Sequence, residues 1–361
     1  MPQHFKFPSI KQFRNIVREV EYNENTKQIK FERTVKLHGT NASIVYNLQP
    51  HHSTQPEEKL YAQSRSNCIT PAFDNAAFAK WVDDNYLSLY SVLGDFASNV
   101  LASWENETHL VVYGEWCGKG IQKNVAVNNC EKMFVVFDAY LVYNGDMADP
   151  RTRSVGVSPF EDEPLDFAVP EIGMYNIHEF GGKEVILDFT DPLALQAQLE
   201  KDAEEVGTQC PVGLAFGFDG PGEGHVYSAC TRNYKFKVKS EAHKVSKTKV
   251  FNPVDLQKMA SVNTFVETTV LEPRLEQGLD YLREMGISTT DTSSLSTYIP
   301  WVIKDVEKEE GDIALELGLD IKLLNKAIAT KARQFYNSQS NQQLFAEHRK
   351  DRPPVITEGL L

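Results

Sequence analysis

The chain has 361 residues, 41% hydrophobic and 24% charged, and its 37 Lys and Arg against 50 Asp and Glu give a net charge of -13. That length exceeds what one hydrophobic core usually supports and predicts two domains, while the acidic balance excludes a protein that coats nucleic acid over its whole surface. No window approaches the roughly 20 apolar residues of a membrane span, and Met1-Pro2-Gln3-His4-Phe5-Lys6 has no apolar leader core. The expectation is a cytoplasmic monomer without membrane contact. Cys68, Cys117, Cys130, Cys210 and Cys230 are irregularly spaced and form no Cys-x-x-Cys pair, which predicts reduced structural thiols rather than a zinc site.

In chain order, short runs rich in Val, Ile, Phe and Tyr predict strands over Ile29 to Lys36, Ala42 to Tyr46, Leu110 to Glu115, Met133 to Asp138 and Tyr234 to Lys239. Ala76 to Leu93 reads as a helix, and residues 144 to 173, with many Pro, Asp and Glu, as a long surface loop. From Arg232 to Lys249 seven basic residues (Arg232, Lys235, Lys237, Lys239, Lys244, Lys247, Lys249) face the single acid Glu241. A focused basic patch on an acidic chain suits docking at a defined place. After about residue 250 the pattern changes to a helical period, with stripes through Leu271, Leu275, Leu279 and Leu282, stopped by Gly286, then Leu295, Ile299, Val302, Ile303 and Val306, then Ile321, Leu324 and Ile328. The predicted class is α+β: residues 1–250 form antiparallel sheets with flanking helices, 251–350 a small all-helical domain, and 351–361, with Pro353-Pro354, a mobile tail. No internal repeat is visible.

Lys-x-x-Gly occurs twice, at Lys36-Leu37-His38-Gly39 and at Lys308-Glu309-Glu310-Gly311. Spacing alone separates neither from chance. Context favours Lys36, which ends a β-type run before Gly39-Thr40-Asn41, whereas Lys308 stands in an acidic helical run that reads as a solvated surface. In Tyr234-Lys235-Phe236-Lys237-Val238-Lys239, strand alternation places the three lysines on one face and the apolar residues on the other. One face packs and the other is suited to phosphate, although such a strand can also be an edge guarded by solvated lysines.

These segments, with Gly114-Glu115-Trp116-Cys117-Gly118-Lys119-Gly120-Ile121-Gln122-Lys123-Asn124-Val125, Phe134-Val135-Val136-Phe137-Asp138 and Glu223-Gly224-His225-Val226, resemble the phage RNA ligase 2 family of nick-sealing RNA ligases. The likeness spans roughly residues 30 to 250. It implies a covalent nucleotidyltransferase (ATP-grasp-like ligase) domain using ATP with Mg²⁺, or Mn²⁺ in its place, on RNA with 5′-phosphate and 3′-hydroxyl ends, a nicked duplex among them. By the same resemblance Lys36 would carry AMP, Lys237 and Lys239 would act on phosphate, Glu115 would contact the ribose, and Glu223 would hold the metal. Phe137 would stack on adenine, Arg65 would bind the RNA 5′-phosphate, and His38 and Asn41 would complete the nucleotide site.

A lysine amine of ordinary pKa, about 10.4, is protonated at neutral pH and cannot attack phosphorus. Burial against a nucleotide, with Lys237, Lys239 and a bound metal nearby, is therefore expected to lower the pKa of Lys36. Two departures from the family pattern stand out. Val35 replaces a common Glu, and Ser228 a common Lys, for which Lys119 or Lys235 would compensate. A DNA ligase or capping guanylyltransferase on the same core is the alternative, but both usually carry an OB-fold where this chain turns helical. A noncatalytic RNA-binding module with a vestigial pocket is the second alternative, and it has no chemical need for the full set of lysines and glutamates.

Overall fold

The computed structural model describes residues 2–48, 59–74, 76–100, 108–160, 166–229, 234–246 and 261–350, without side chains for 97–100 and 345–350. Cys230, Arg232, Lys247, Lys249, the expected boundary at 250 and the tail 351–361 lie outside the described residues. Two compact units divide the chain, 1–243 and 244–361.

In the first unit the β-type runs form β1 (Lys11–Gln12), β2 (Gln28–Lys36), β3 (Thr40–Asn47), β4 (Leu60–Ser64), β5 (Cys68–Ile69), β6 (His109–Cys117), β7 (Met133–Val142), β8 (Arg153–Ser154), β9 (Met174–Asn176), β10 (Lys183–Asp188), β11 (Gly224–Ser228) and β12 (Lys235–Lys239). Sheet A runs β1-β12-β11-β2-β10 and sheet B runs β5-β4-β3-β6-β7-β8, with β9 beside β7. Every pairing is antiparallel except β1 with β12 and β9 with β7. The class is α+β, as the sequence predicts.

Each sheet buries one face under helices. Sheet A is covered by helices Phe13–Asn23 and Pro192–Thr208, the latter started by Pro192 and by Asp191, whose Oδ1 accepts the Ala194 N–H at 3.0 Å. Under sheet B, Ile44, Leu110, Val112, Phe134, Val136 and Leu141 pack with Phe78, Val82, Leu89 and Leu93. The predicted helix from 76 to 93 is two helices, Phe78–Asp84 and Tyr86–Val100. Asn85 breaks it, turning its own amide back to donate to the Trp81 carbonyl at 2.8 Å. A further cluster, including Val35, Leu37, Cys117, Met133, Val135 and Cys210, joins strands of both sheets. Val35 is therefore a core residue on the face opposite Lys36, which is why an apolar side chain stands there.

The second unit is helical, with helices Val262–Thr269, Glu272–Glu284, Leu295–Glu316 and Ile321–Lys350. Residues of all three stripes meet in one core, where Leu275, Leu279, Leu282, Val302, Val306, Leu324 and Ile328 surround Tyr298 and Tyr336, while Ile321 of the third stripe is exposed. The run holding Lys308 departs from the expected solvated surface, because Glu310 is fully buried against Arg274. Among the described residues no helix is long and apolar enough to cross a membrane.

Candidate active site

The register of sheet A assembles the site. Gly224 of β11 stands opposite Lys36 of β2 on one side and Lys239 of β12 on the other. Glu223, the residue before it, therefore enters between the two lysines. Gly224 has φ of +146°, and a Cβ on it would lie 2.2 Å from the Val238 carbonyl oxygen, so only glycine fits this crossing. The buried Glu223 carboxylate accepts from Lys36 Nζ at 2.7 Å and from Lys239 Nζ at 2.7 Å, one lysine on each oxygen. His38 Nδ1 lies 3.6 Å from the oxygen shared with Lys36.

Opposite charges at this spacing decide the protonation states. Burial alone would raise the pKa of Glu223, but Lys239 and Lys36 hold it well below the ordinary carboxylate range. Lys36 moves the other way from the sequence expectation. Burial lowers its pKa, yet Glu223 and then Glu115 outweigh burial, and the net shift is upward although Arg65 opposes it. The carboxylate assigned to a metal is ion-paired with the amine at 2.7 Å and favours its protonated form. Lys239 is shifted down, by burial first, with Glu223 opposing and Lys36 and Lys237 adding repulsion.

The turn after Lys36 is pinned to sheet B. Glu115 Oε1 accepts the Gly39 N–H at 2.8 Å, and Gln122 Nε2 donates to the Gly39 carbonyl at 3.3 Å. A Cβ on Gly39 would lie 2.5 Å from the Trp116 carbonyl oxygen and 2.9 Å from Cys117 Cβ, which explains the glycine. The pKa of Glu115 is raised because burial exceeds the pull of Lys36. Asn41 sits opposite Glu115 in the β3–β6 ladder.

Phe137 owes its placement to a β-bulge. Tyr113 pairs with Asp138 and Gly114 with Val136, so Phe137 is the extra residue of β7. Before the bulge Phe134 and Val136 face the helices of sheet B, and after it Ala139 and Leu141 do. The slip leaves two neighbours, Phe137 and Asp138, both turned to the opposite face, where Phe137 meets the ring of Phe7 at 5.1 Å.

Lys36, His38, Glu115, Glu223 and Lys239 thus come together around one carboxylate and one turn. Arg65, exposed on the turn after β4, lies within electrostatic reach of Lys36, and Lys237 lies within reach of Lys239. The basic run is not the exposed stripe its composition implies. Lys239 is spent on Glu223 and Lys235 on Asp138, at 2.5 Å. Lys119 pairs with Glu131 on the surface.

Sequence reasoning missed His243. It follows β12 in a short turn, and its ring centroid is 5.2 Å from that of His38, nearly edge to face at 69°. Its pKa is pushed down to about 4 by burial, with Glu223 opposing and His38, Lys239 and Lys36 adding to the fall. No spacing rule marks it; only its position just past the basic strand would have raised it. Among the described residues no group of three or more His, Cys, Asp or Glu is arranged to hold a metal ion.

The strand-end lysine, its carboxylate partner and the glycine turn all lie within residues 29–239, the stretch that matches the sequence profile of the RNA ligase family. The chain belongs to the RNA ligase family. Similar solved structures include the Naegleria gruberi RNA ligase with PPi, at 18% identity and a TM-score of 0.41, covering 67% of this chain and 58% of that one. A mutant of the same ligase with AMP and Mn gives 18% identity and a TM-score of 0.43 over the same shares. The chain therefore spans less than two thirds of the length of those ligases. No curated protein matches it.

Proposed function

We propose that this protein is an ATP-dependent RNA ligase of the phage RNA ligase 2 type, acting in RNA repair as a cytoplasmic monomer on RNA with 5′-phosphate and 3′-hydroxyl ends, a nicked duplex among them. The observation that carries the reading is the Lys36–Glu223–Lys239 cluster at the end of β2, inside the stretch that matches the family. Lys36 Nζ forms a P–N bond to the α-phosphorus of ATP as the bond to pyrophosphate breaks. An RNA 5′-phosphate oxygen then takes the AMP and returns the amine. Finally the 3′-hydroxyl attacks that 5′-phosphate and AMP leaves.

Each step asks something specific of the side chains. Lys36 must lose a proton at Nζ before attack, and parting from Glu223 removes the largest influence that holds its pKa up, leaving burial and Arg65 to lower it against Glu115. Lys239 and Lys237 offer positive charge where phosphate oxygens gain negative charge. Phe137 supplies a ring face for adenine, Glu115 and Asn41 polar groups for the ribose, and Arg65 a planar guanidinium for the RNA 5′-phosphate. His38 steers the amine and its carboxylate. Mg²⁺, or Mn²⁺ in its place, would be held by the ionised Glu223 carboxylate on the oxygen that Lys36 vacates, with phosphate and water oxygens completing the hard ligand set such a cation takes. When bound it supplies charge that favours departure of pyrophosphate.

The test is incubation with α-labelled ATP and Mg²⁺, then a denaturing gel and peptide mapping. Lys36→Ala should remove the label and Lys308→Ala should keep it. Equal labelling of both variants would refute the site. The helical unit is proposed to grip RNA at the break, so a chain ending at residue 250 should lose sealing of nicked RNA more than self-labelling.

A further inference from the structure

Asp138 and Lys235 belong to different sheets, and neither has a part in the chemistry just described. The Phe137 bulge turns Asp138 out of the helix-covered side of β7, and there its Oδ2 accepts from Lys235 Nζ of β12 at 2.5 Å. The carboxylate is otherwise fully engaged. Its Oδ1 accepts from Ser154 Oγ at 2.7 Å and from the Ala139 N–H at 3.0 Å. The lysine amine also lies 5.3 Å above the ring of Phe7, which meets Phe137 in turn. Across β11 the residue facing Lys235 is Ser228. A lysine at 228 would stand directly opposite Lys235, where like charges repel, so the small side chain suits a cation carried on β12.

We propose that the Lys235–Asp138 bridge positions the nucleotide pocket, setting the distance between the strand that carries Phe137 and the strand that carries Lys237 and Lys239. Asp138 follows Phe137 directly, and Lys235 shares the face of Lys237 and Lys239 by strand alternation. Fixing one pair across the sheets therefore fixes the stacking ring against the phosphate-facing lysines. Both are positioning residues, and the inference rests on the ATP site proposed above.

Calorimetric titration with ATP in the Lys36→Ala background, where transfer cannot follow binding, separates this inference from that reading. K235M and D138N should each weaken ATP binding by about tenfold or more, the scale of a displaced positioning group. K235R should stay within about threefold, because the guanidinium can still reach the carboxylate. The reversed pair K235D/D138K should recover most of the loss. Thermal melting of each variant separates positioning from folding. Overturning results are ATP binding unchanged in K235M, or weakened binding that the reversed pair fails to restore while Tm recovers. Failure of the native chain to take label while it still binds ATP would overturn the ligase reading and leave this comparison decisive; failure to bind ATP at all would overturn both.

Discussion

The two Lys-x-x-Gly segments sit beside two buried charge clusters that are built in opposite ways. At Lys36 the charges come from three adjacent strands, and both oxygens of Glu223 are met at 2.7 Å. At Lys308 the charges lie within a helix core, where fully buried Arg274 has Asp305 and Glu309 at 3.4 Å and Glu310 at 3.3 Å. Arg274 Nε makes no hydrogen bond there. The glycines differ as sharply. A Cβ on Gly39 would lie 2.5 Å from the Trp116 carbonyl oxygen, while a Cβ on Gly311 would meet nothing beyond its own helix backbone nearer than Glu307 Cγ at 3.9 Å. A short motif has content only where its glycine is sterically required by its surroundings.

The sharpest way to break that contrast is to add one methyl group to each glycine. Gly39→Ala must shift β6 or release the Glu115 bond, and should cut self-adenylation by more than about a hundredfold. Gly311→Ala should leave it at the native rate. Equal rates in a labelling time course would end the distinction. Next in size is the helix cluster, where Arg274→Ala leaves carboxylates buried without their cation and should cost about 3 to 5 kcal/mol in urea unfolding. Arg274→Met with Glu310→Met should recover most of that, since apolar groups of similar volume replace buried pairs at little cost. A double variant as unstable as Arg274→Ala would show that the pair does more than fill the core.

Much of the strand cluster was legible in the sequence. Strand alternation marked the lysine face of β12, and Lys36, Glu115, Glu223 and Lys239 were named from the family resemblance. The helical second unit followed from period, and the α+β class from that period together with the Val-, Ile-, Phe- and Tyr-rich runs before it. What was not legible depends on pairing across distant segments. No local pattern says that Glu223 would bind the amine of Lys36, since that follows from Gly224 standing opposite Lys36 in the register. The bulge at Phe137 is invisible because it arises from an offset against β6, and His243 reaches His38 only once β12 has been laid down. The helix run at Lys308 misled for the same reason: Glu310 is polar in sequence but buried by Arg274 from another helix.

Acid should also separate the units. His178, His225 and His243 all lie in the first unit with lowered pKa values, mainly through burial, and those of His225 and His243 fall to about 4. In the unfolded chain each takes a proton near pH 6.5. Between about 6.5 and 4 the unfolded state binds more protons than the folded one, so stability is complete above 7 and declines as pH falls through that window. The slope approaches 1.4 kcal/mol per pH unit for each histidine at most. Glu223, held well below its ordinary range, adds its loss only at lower pH. Hydrogen exchange at pH 7 and pH 5 should show peptides from 1–243 losing protection faster than peptides from 261–350. Equal loss would mean that the buried imidazoles are not what acid attacks.

The smallest expected effect returns to Gly311. It lies inside helix Leu295–Glu316, where a glycine gives up more backbone freedom on folding than an alanine does. Nothing in the packing asks for it, because beyond its own helix backbone a Cβ there meets nothing nearer than Glu307 Cγ at 3.9 Å. Gly311→Ala should therefore stabilise the helical unit by up to about 1 kcal/mol, the propensity difference between the two residues in a helix interior. At Gly39 the same substitution carries the opposite sign, because the crowding against β6 exceeds any gain in chain entropy. Urea midpoints for the two variants should move in opposite directions from the native chain. A shift of both in one direction would mean that the glycine at Lys308 is also held by its surroundings, and that crowding cannot tell the two segments apart.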